Sequence, residues 1–225
     1  LSSGVTGGIG ADGSAGVGHP GYVVGRLTSA FITLFLPSYG SLGTGDLVTV
    51  LAVASLLAAV VIARRRREDR SGIRLLAGLA TVGAVARALM EPQVTPGLLV
   101  AAPLVTAGLA TLGGTVGRDP ERRWLAATVA LFTAAVLATQ YASGGSGEWG
   151  GRYFAIGLVL IVPLLVIGLR DVLAGIDHST RRLLAGAVVV SSLAFAVAGG
   201  RALVTTEAAT DEFVIRVEAA RARLD

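Results

Sequence analysis

An all-α, polytopic bundle of about six transmembrane helices is predicted by three observations: apolar runs of membrane length, a scarcity of charge, and a one-sided distribution of arginine. Hydrophobic residues fill 53% of the 225 positions and charged residues only 15%, whereas an average soluble domain carries about 25% charged residues. Mean hydropathy is +0.71, which selects a bundle of membrane spans over a soluble domain of the same length. All 19 basic residues are Arg, and the net charge is +4. These residues fall between apolar runs, a membrane pattern that argues against a nucleic-acid partner. With no Cys there are no disulfides, thiolate metal sites or thiol nucleophiles. His19 and His178 are too few for a His-based metal centre, so no metal site is assigned within the chain.

Taken in order, residues 1–21 hold eight Gly among small polar residues and read as a loop. Residues 22–37 are apolar, but Arg26 interrupts them and the stretch is short for a span. They are expected to lie at or dip into the membrane surface, with a seventh span as the alternative, making 1–41 an outer Gly-rich loop with an interfacial segment. The bundle itself is expected over 42–204, in six runs at 47–63, 73–90, 97–116, 124–142, 153–169 and 183–203. Each approaches the roughly 20 residues that cross about 30 Å of hydrocarbon at 1.5 Å per residue. Helices are required because a span must satisfy its own backbone hydrogen bonds in lipid. Pro103 and Pro163 lie within runs and are expected to kink them. The tail, 205–225, is expected to form a separate outer juxtamembrane helix or to begin a soluble domain. Thr210 would cap it, Asp211 and Glu212 would face its dipole, and Glu212 with Arg216 would make an i,i+4 pair.

Orientation follows from arginine. The first, third and fifth connections hold Arg64 to Arg67, Arg70 and Arg74, then Arg118, Arg122 and Arg123, then Arg170, Arg181 and Arg182. The second connection has none and the fourth only Arg152. The positive-inside bias makes the odd connections cytoplasmic, so both termini are extracytoplasmic and the chain is a multi-pass protein of the plasma (inner) membrane. Aromatic residues agree, with Trp124 at an inner boundary and Tyr39, Tyr141, Trp149 and Tyr153 at the outer one.

Candidate chemistry is sparse. No Asp, Glu, Lys or His falls in the middle of a run, which weighs against an ion-coupled transporter or proton pump. GIGADG at 8–13 fits GxGxxG but has neither the preceding strand nor the following helix that a nucleotide site needs. The GxxxG within GGTVG at 113–117 is the chance expectation in a chain this rich in Gly. RRRREDR sets topology and touches anionic lipid heads, at about 1 kcal/mol per Arg. Two outer features remain as substrate-binding candidates. Arg87 and Glu91 are four residues apart at the outer end of the second run; the bland reading is a local ion pair with Arg87 snorkelling to the interface. Glu148, Trp149, Arg152 and Tyr153 sit on a Gly-flexed loop that delivers a carboxylate, an indole, a guanidinium and a phenol to one place. A guanidinium fork matches phosphate oxygens. The bland reading is an aromatic belt with one Arg.

At GEWGGRYF, residues 147–154, the sequence resembles bacterial membrane glycosyltransferases of the GT-C type and their uncharacterised relatives. PGLLVAAPL at 96–104, the Pro163-containing run and a final span followed by an outer tail are similar too, so the resemblance covers roughly the last two-thirds of the chain. An Arg-, Ala- and Gly-rich composition without Lys or Asn is that of a GC-rich, actinobacterial-like coding sequence. The resemblance implies transfer of sugar from a polyprenyl-phosphate donor to an acceptor at the outer membrane face. It also implies an acidic residue in a first outer loop, acting as base or as ligand to a divalent metal. That loop has no counterpart here, so the chain is expected to be a C-terminal half, with the metal and catalytic acid supplied by residues outside it. The start at Leu1, without a basic leader, reads in the same way as the interior of a longer polypeptide. Arg152 would touch the donor phosphate, with Glu148, Trp149 and Tyr153 as neighbours. Expected partners are membrane lipid, the lipid-linked donor and the remainder of the chain. A transporter or permease subunit would instead show a polar cavity at mid-membrane, and a non-catalytic scaffold would show no outer pocket.

Overall fold

The computed structural model of the chain describes residues 28, 31, 34, 35, 43–92, 95, 97–117, 119–139 and 152–221. Every regular element among them is helical: α1 Thr44–Arg65, α2 Arg70–Leu89, α3 Leu98–Ala101, α4 Pro103–Leu109, α5 Leu112–Val116, α6 Pro120–Thr139, α7 Arg152–Ala174 and α8 His178–Arg221. The Gly-rich stretch 1–21 and the placement of 22–37 lie outside the described residues, apart from four helical positions, Thr28, Phe31, Leu34 and Phe35.

Among the described residues, three helices are long and apolar enough to cross a membrane: α1, α2 and the His178–Ala208 part of α8. Their outer faces carry Leu51, Leu75, Leu79, Val82, Leu183, Leu193 and Val197, all exposed. An apolar surface of that extent suits lipid and not water. Short polar groups set the helix starts. Asp69 accepts the Gly72 amide at 3.0 Å to open α2, and Asp177 accepts the Ser179 and Thr180 amides, each at 3.2 Å, to open α8. Asp177 also receives Arg74 at 3.4 Å and stands 3.5 Å from Arg70. Hydrogen bonds from Thr180 and Ser179, with Arg70 beside them, hold its carboxyl well below the usual carboxylate range. The turn between α7 and α8 is thereby tied to the start of α2.

α2 packs between α1 and α8, and the contact is made largely by Ala. Ala59 and Ala63 of α1, Ala77 and Ala80 of α2 and Ala187 of α8 are buried with Leu56, Ile73 and Leu184 in one cluster. Small side chains let backbones approach until van der Waals contact holds them, the principal attraction available between helices in lipid. Gly83 takes this to its limit: a Cβ there would lie 2.9 Å from the Ala52 Cβ.

Two expectations are corrected. The third run, 97–116, is no single helix but the three short pieces α3, α4 and α5. Pro103 has no N–H to donate and forces Ala102 out of the helical region, to φ −120° and ψ 78°. A second break follows at Ala110 and Thr111. Arg64 donates to the Ala110 carbonyl at 2.7 Å and the Thr111 hydroxyl to the Gly108 carbonyl at 2.6 Å, so the interrupted backbone finds partners in side chains. Pro163, by contrast, sits on an exposed face of the uninterrupted α7. The tail is not capped at Thr210, because α8 runs unbroken through 44 residues. The Thr210 hydroxyl donates to the Thr206 carbonyl at 2.9 Å, as a residue inside a helix does. The Glu212 and Arg216 side chains lie outside the described residues.

Candidate charge cluster at one end of the bundle

At the end of the bundle away from the Arg-rich turns, three helices bring charge together. α1 opens after Gly43, and Asp46, in its first turn, accepts the Gly43 amide at 2.8 Å. This reach back to the cap residue is the carboxylate half of a capping box. Asp46 is 3% exposed, and Thr49, one turn on, is 1% exposed and donates to the Gly45 carbonyl at 2.8 Å. Arg87 lies in the last turn of α2 and is 2% exposed. Its Nη1 donates to the Glu91 carbonyl at 3.2 Å. From α8, Arg201 donates to the Ala88 carbonyl. Asp46 and Arg201 are both near enough to act on the Arg87 charge, one attracting and one repelling it.

The expected Arg87–Glu91 pair is therefore corrected. Glu91 contributes its backbone carbonyl, and its carboxylate is exposed. The i,i+4 spacing places two side chains together only within a helix, but α2 ends at Leu89 and Met90 turns to extended geometry, ψ 175°. Nor does Arg87 snorkel. With Asp46 opposite and a carbonyl to donate to, its guanidinium is satisfied while buried. Arg87 and Arg201 also serve the C-terminal end of α2, where carbonyls lack helical partners and the dipole is negative.

Asp46 and Arg201 were not read from the sequence as members of a site. The signals were present: Asp46 stands immediately before the first apolar run, and Arg87 and Arg201 each fall inside a run, near its end away from the Arg-rich turns. A guanidinium stays protonated and cannot act as base. What the cluster can do is hold an anion or lock helix ends, because its three side chains sum to one positive charge.

The other candidates fall elsewhere. Arg152 and Tyr153 are the first residues of α7, their side chains outside the described residues, and Glu148 and Trp149 lie outside them altogether. α7 ends beside the Arg-rich turns, where a Cβ on Gly175 would meet Arg67 Cζ at 2.6 Å. Its 23 residues put Arg152 about 33 Å away, at the end that holds Arg87. Among the described residues, no group of three or more His, Cys, Asp or Glu side chains is placed to hold a metal ion. Comparison with protein-family models, with curated proteins and with solved structures finds no match to the chain.

Proposed function

We propose that the chain is the membrane-embedded half of a GT-C-type glycosyltransferase, presenting its outer end to a polyprenyl-phosphate sugar donor. The observation that carries this reading is the buried Arg87, with Asp46 and Arg201, at the same end as the start of α7 at Arg152. Guanidinium groups gathered at one membrane surface suit a phosphate that arrives on a lipid tail. Catalytic acid and divalent metal belong, in this reading, to residues beyond the chain.

The reading needs six crossings with the Arg-rich turns inside. α6 and α7, at 20 and 23 residues, have the length for about 30 Å of hydrocarbon. The broken α3–α5 segment leaves the Arg87 end at residue 91, and by Gly113 and Gly114 it lies against Arg64, at the opposite end. We take it as a discontinuous third crossing, tolerated because it is surrounded by protein. The native chain has no Cys, so single Cys replacements report position without background. A Cys at Pro92 is expected to react with an impermeant maleimide in intact cells, and one at Asp177 to react only after lysis. The reverse pattern would invert the bundle and remove the outer site.

For the donor, Arg152→Lys and Arg152→Ala are both expected to weaken binding at least about tenfold in the full-length protein, since a charge-assisted contact is worth roughly 1.5–3 kcal/mol. Lys supplies the charge but not the fork. Trp149→Ala should weaken binding as well, and Arg66→Ala, at the opposite end, should not. The measurement is binding of a polyprenyl-phosphate sugar to the purified protein. Wild-type binding by Arg152→Lys would leave the scaffold reading. One observation already favours that second reading: Arg87 and Arg201 each donate to a carbonyl at the end of α2. A transporter is disfavoured because the buried polar residues described at mid-helix are Ser and Thr, not carboxylate, Lys or His.

A further inference from the structure

At the Arg-rich end, α7 and α8 diverge around a groove of about 460 Å³, floored by Leu104 and walled by Val166, Leu173, Leu184 and Val188. Its mouth is formed by Arg170, one turn before the end of α7, and Arg181, in the first turn of α8. Both are exposed, and neither guanidinium makes a hydrogen bond or ion pair with any described residue. The nearby carboxylate of Asp177 is already engaged by Arg70 and Arg74, and among the described residues no carboxylate lines the groove. From Arg181 to Val189, which also lines it, is eight residues, or about 12 Å along the helix toward the middle of the bundle.

We propose that this groove is a binding site for an anionic phospholipid of the adjacent leaflet, with one acyl chain between α7 and α8 and the phosphate held by Arg170 and Arg181. An apolar channel along the flank of two helices in a bilayer is reached sideways, from lipid. Any alkyl chain fits its walls, so the selection is made at the mouth. There, two positive charges without partners among the described residues favour a head group of net negative charge over a zwitterionic one. Arg70 and Arg74 belong to the fold, tied to Asp177, while the Arg170 and Arg181 guanidinium groups have no partner among the described residues. The site is independent of the Arg87 cluster and of any glycosyltransferase role.

The test uses the full chain, purified in a neutral detergent, freed of lipid, and titrated with phosphatidylglycerol or phosphatidylcholine of identical chains, with bound lipid counted by native mass spectrometry. At about 1 kcal/mol per Arg near the surface, two Arg correspond to a preference for phosphatidylglycerol of about 30-fold. Arg170→Gln/Arg181→Gln should abolish that preference while phosphatidylcholine still binds, which also shows that the variant is folded. Arg122→Gln/Arg123→Gln, the same loss of charge outside the groove, should retain it. Ala185→Phe, which fills the groove, should weaken both lipids and leave their ratio unchanged. Glycerol phosphate, which has the head but no chain, should not displace the lipid. The proposal is overturned if the Arg170/Arg181 variant keeps the preference, if the Arg122/Arg123 variant loses it equally, or if Ala185→Phe binds as wild type does. Displacement by glycerol phosphate at concentrations matching the lipid would make this a plain phosphate site and would equally overturn it.

Discussion

Arg87→Ala is expected to destabilise the folded protein by about 3–5 kcal/mol, the usual consequence of removing one partner from a buried charge pair. Arg87 is 2% exposed and Asp46 3%, so Asp46 would keep its burial and lose the opposing charge. The Glu91 carbonyl would lose a donor as well. Asp46→Ala should be of similar size, because it strips the Gly43 amide of its acceptor and leaves Arg87 facing Arg201 without the carboxylate between their effects. The double variant Asp46→Ala/Arg87→Ala should cost distinctly less than the sum, since neither buried charge is then left behind. Thermal or denaturant unfolding of the purified protein, followed by helical circular dichroism, measures all three. Single variants within about 0.5 kcal/mol of wild type, the range of ordinary surface substitutions, would mean that the cluster contributes nothing to holding α1 to α2.

Gly168→Ala should destabilise by about 1–3 kcal/mol, the overpacking range, and Gly168→Leu by more. A Cβ at this position would lie 2.0 Å from the Thr111 hydroxyl and 2.7 Å from that of Thr115. Neither hydroxyl is idle: one donates to the Gly108 carbonyl at 2.6 Å and the other to the Thr111 carbonyl at 3.2 Å. Relief of the clash would therefore break bonds that hold the second break of the 97–116 segment, or would lift α7 away from α4 and α5. Gly78 is the matched control, a helical glycine with open space where its Cβ would be. Gly78→Ala should stabilise by roughly 0.5–1 kcal/mol through helix propensity alone. Equal midpoints for the two Ala variants would show that α7 does not need the close approach.

How far the fold was legible depended on how local its causes were. α1, α2 and the first part of α8 follow from uninterrupted apolar runs, because length and hydropathy are properties of a segment by itself. Pro103 and Pro163 could not be told apart that way. The same ring ends a helix at one site and is absorbed at the other, and at the first site the freed backbone is served by Arg64 and by Thr hydroxyls that only the tertiary structure brings there. Thr210 reads as a cap from the acids that follow it, but a helix already formed extends more readily than one that must start afresh. Arg87 was legible as a candidate and its partner was not. A spacing of four implies a side-chain pair only if the helix continues, and Met90 ends it. Asp46 and Arg201 lie far from Arg87 along the chain, so only the packing of α1 and α8 on α2 reveals that the three share one place. For Glu148, Trp149, Arg152 and Tyr153, the chemical argument still rests on residue types and loop position.

The unbroken α8 has a mechanical consequence. Forty-four residues make a rod about 66 Å long, and hydrocarbon accounts for only about 30 Å of that length. No Pro lies in it, and the helix runs unbroken through the remainder. Its foot is clamped by the Asp177 knot, and Arg201 fastens its shaft to the end of α2. Above that fastening the rod is a cantilever. A small tilt between α2 and α8 therefore reaches the far tip multiplied by the length of the arm.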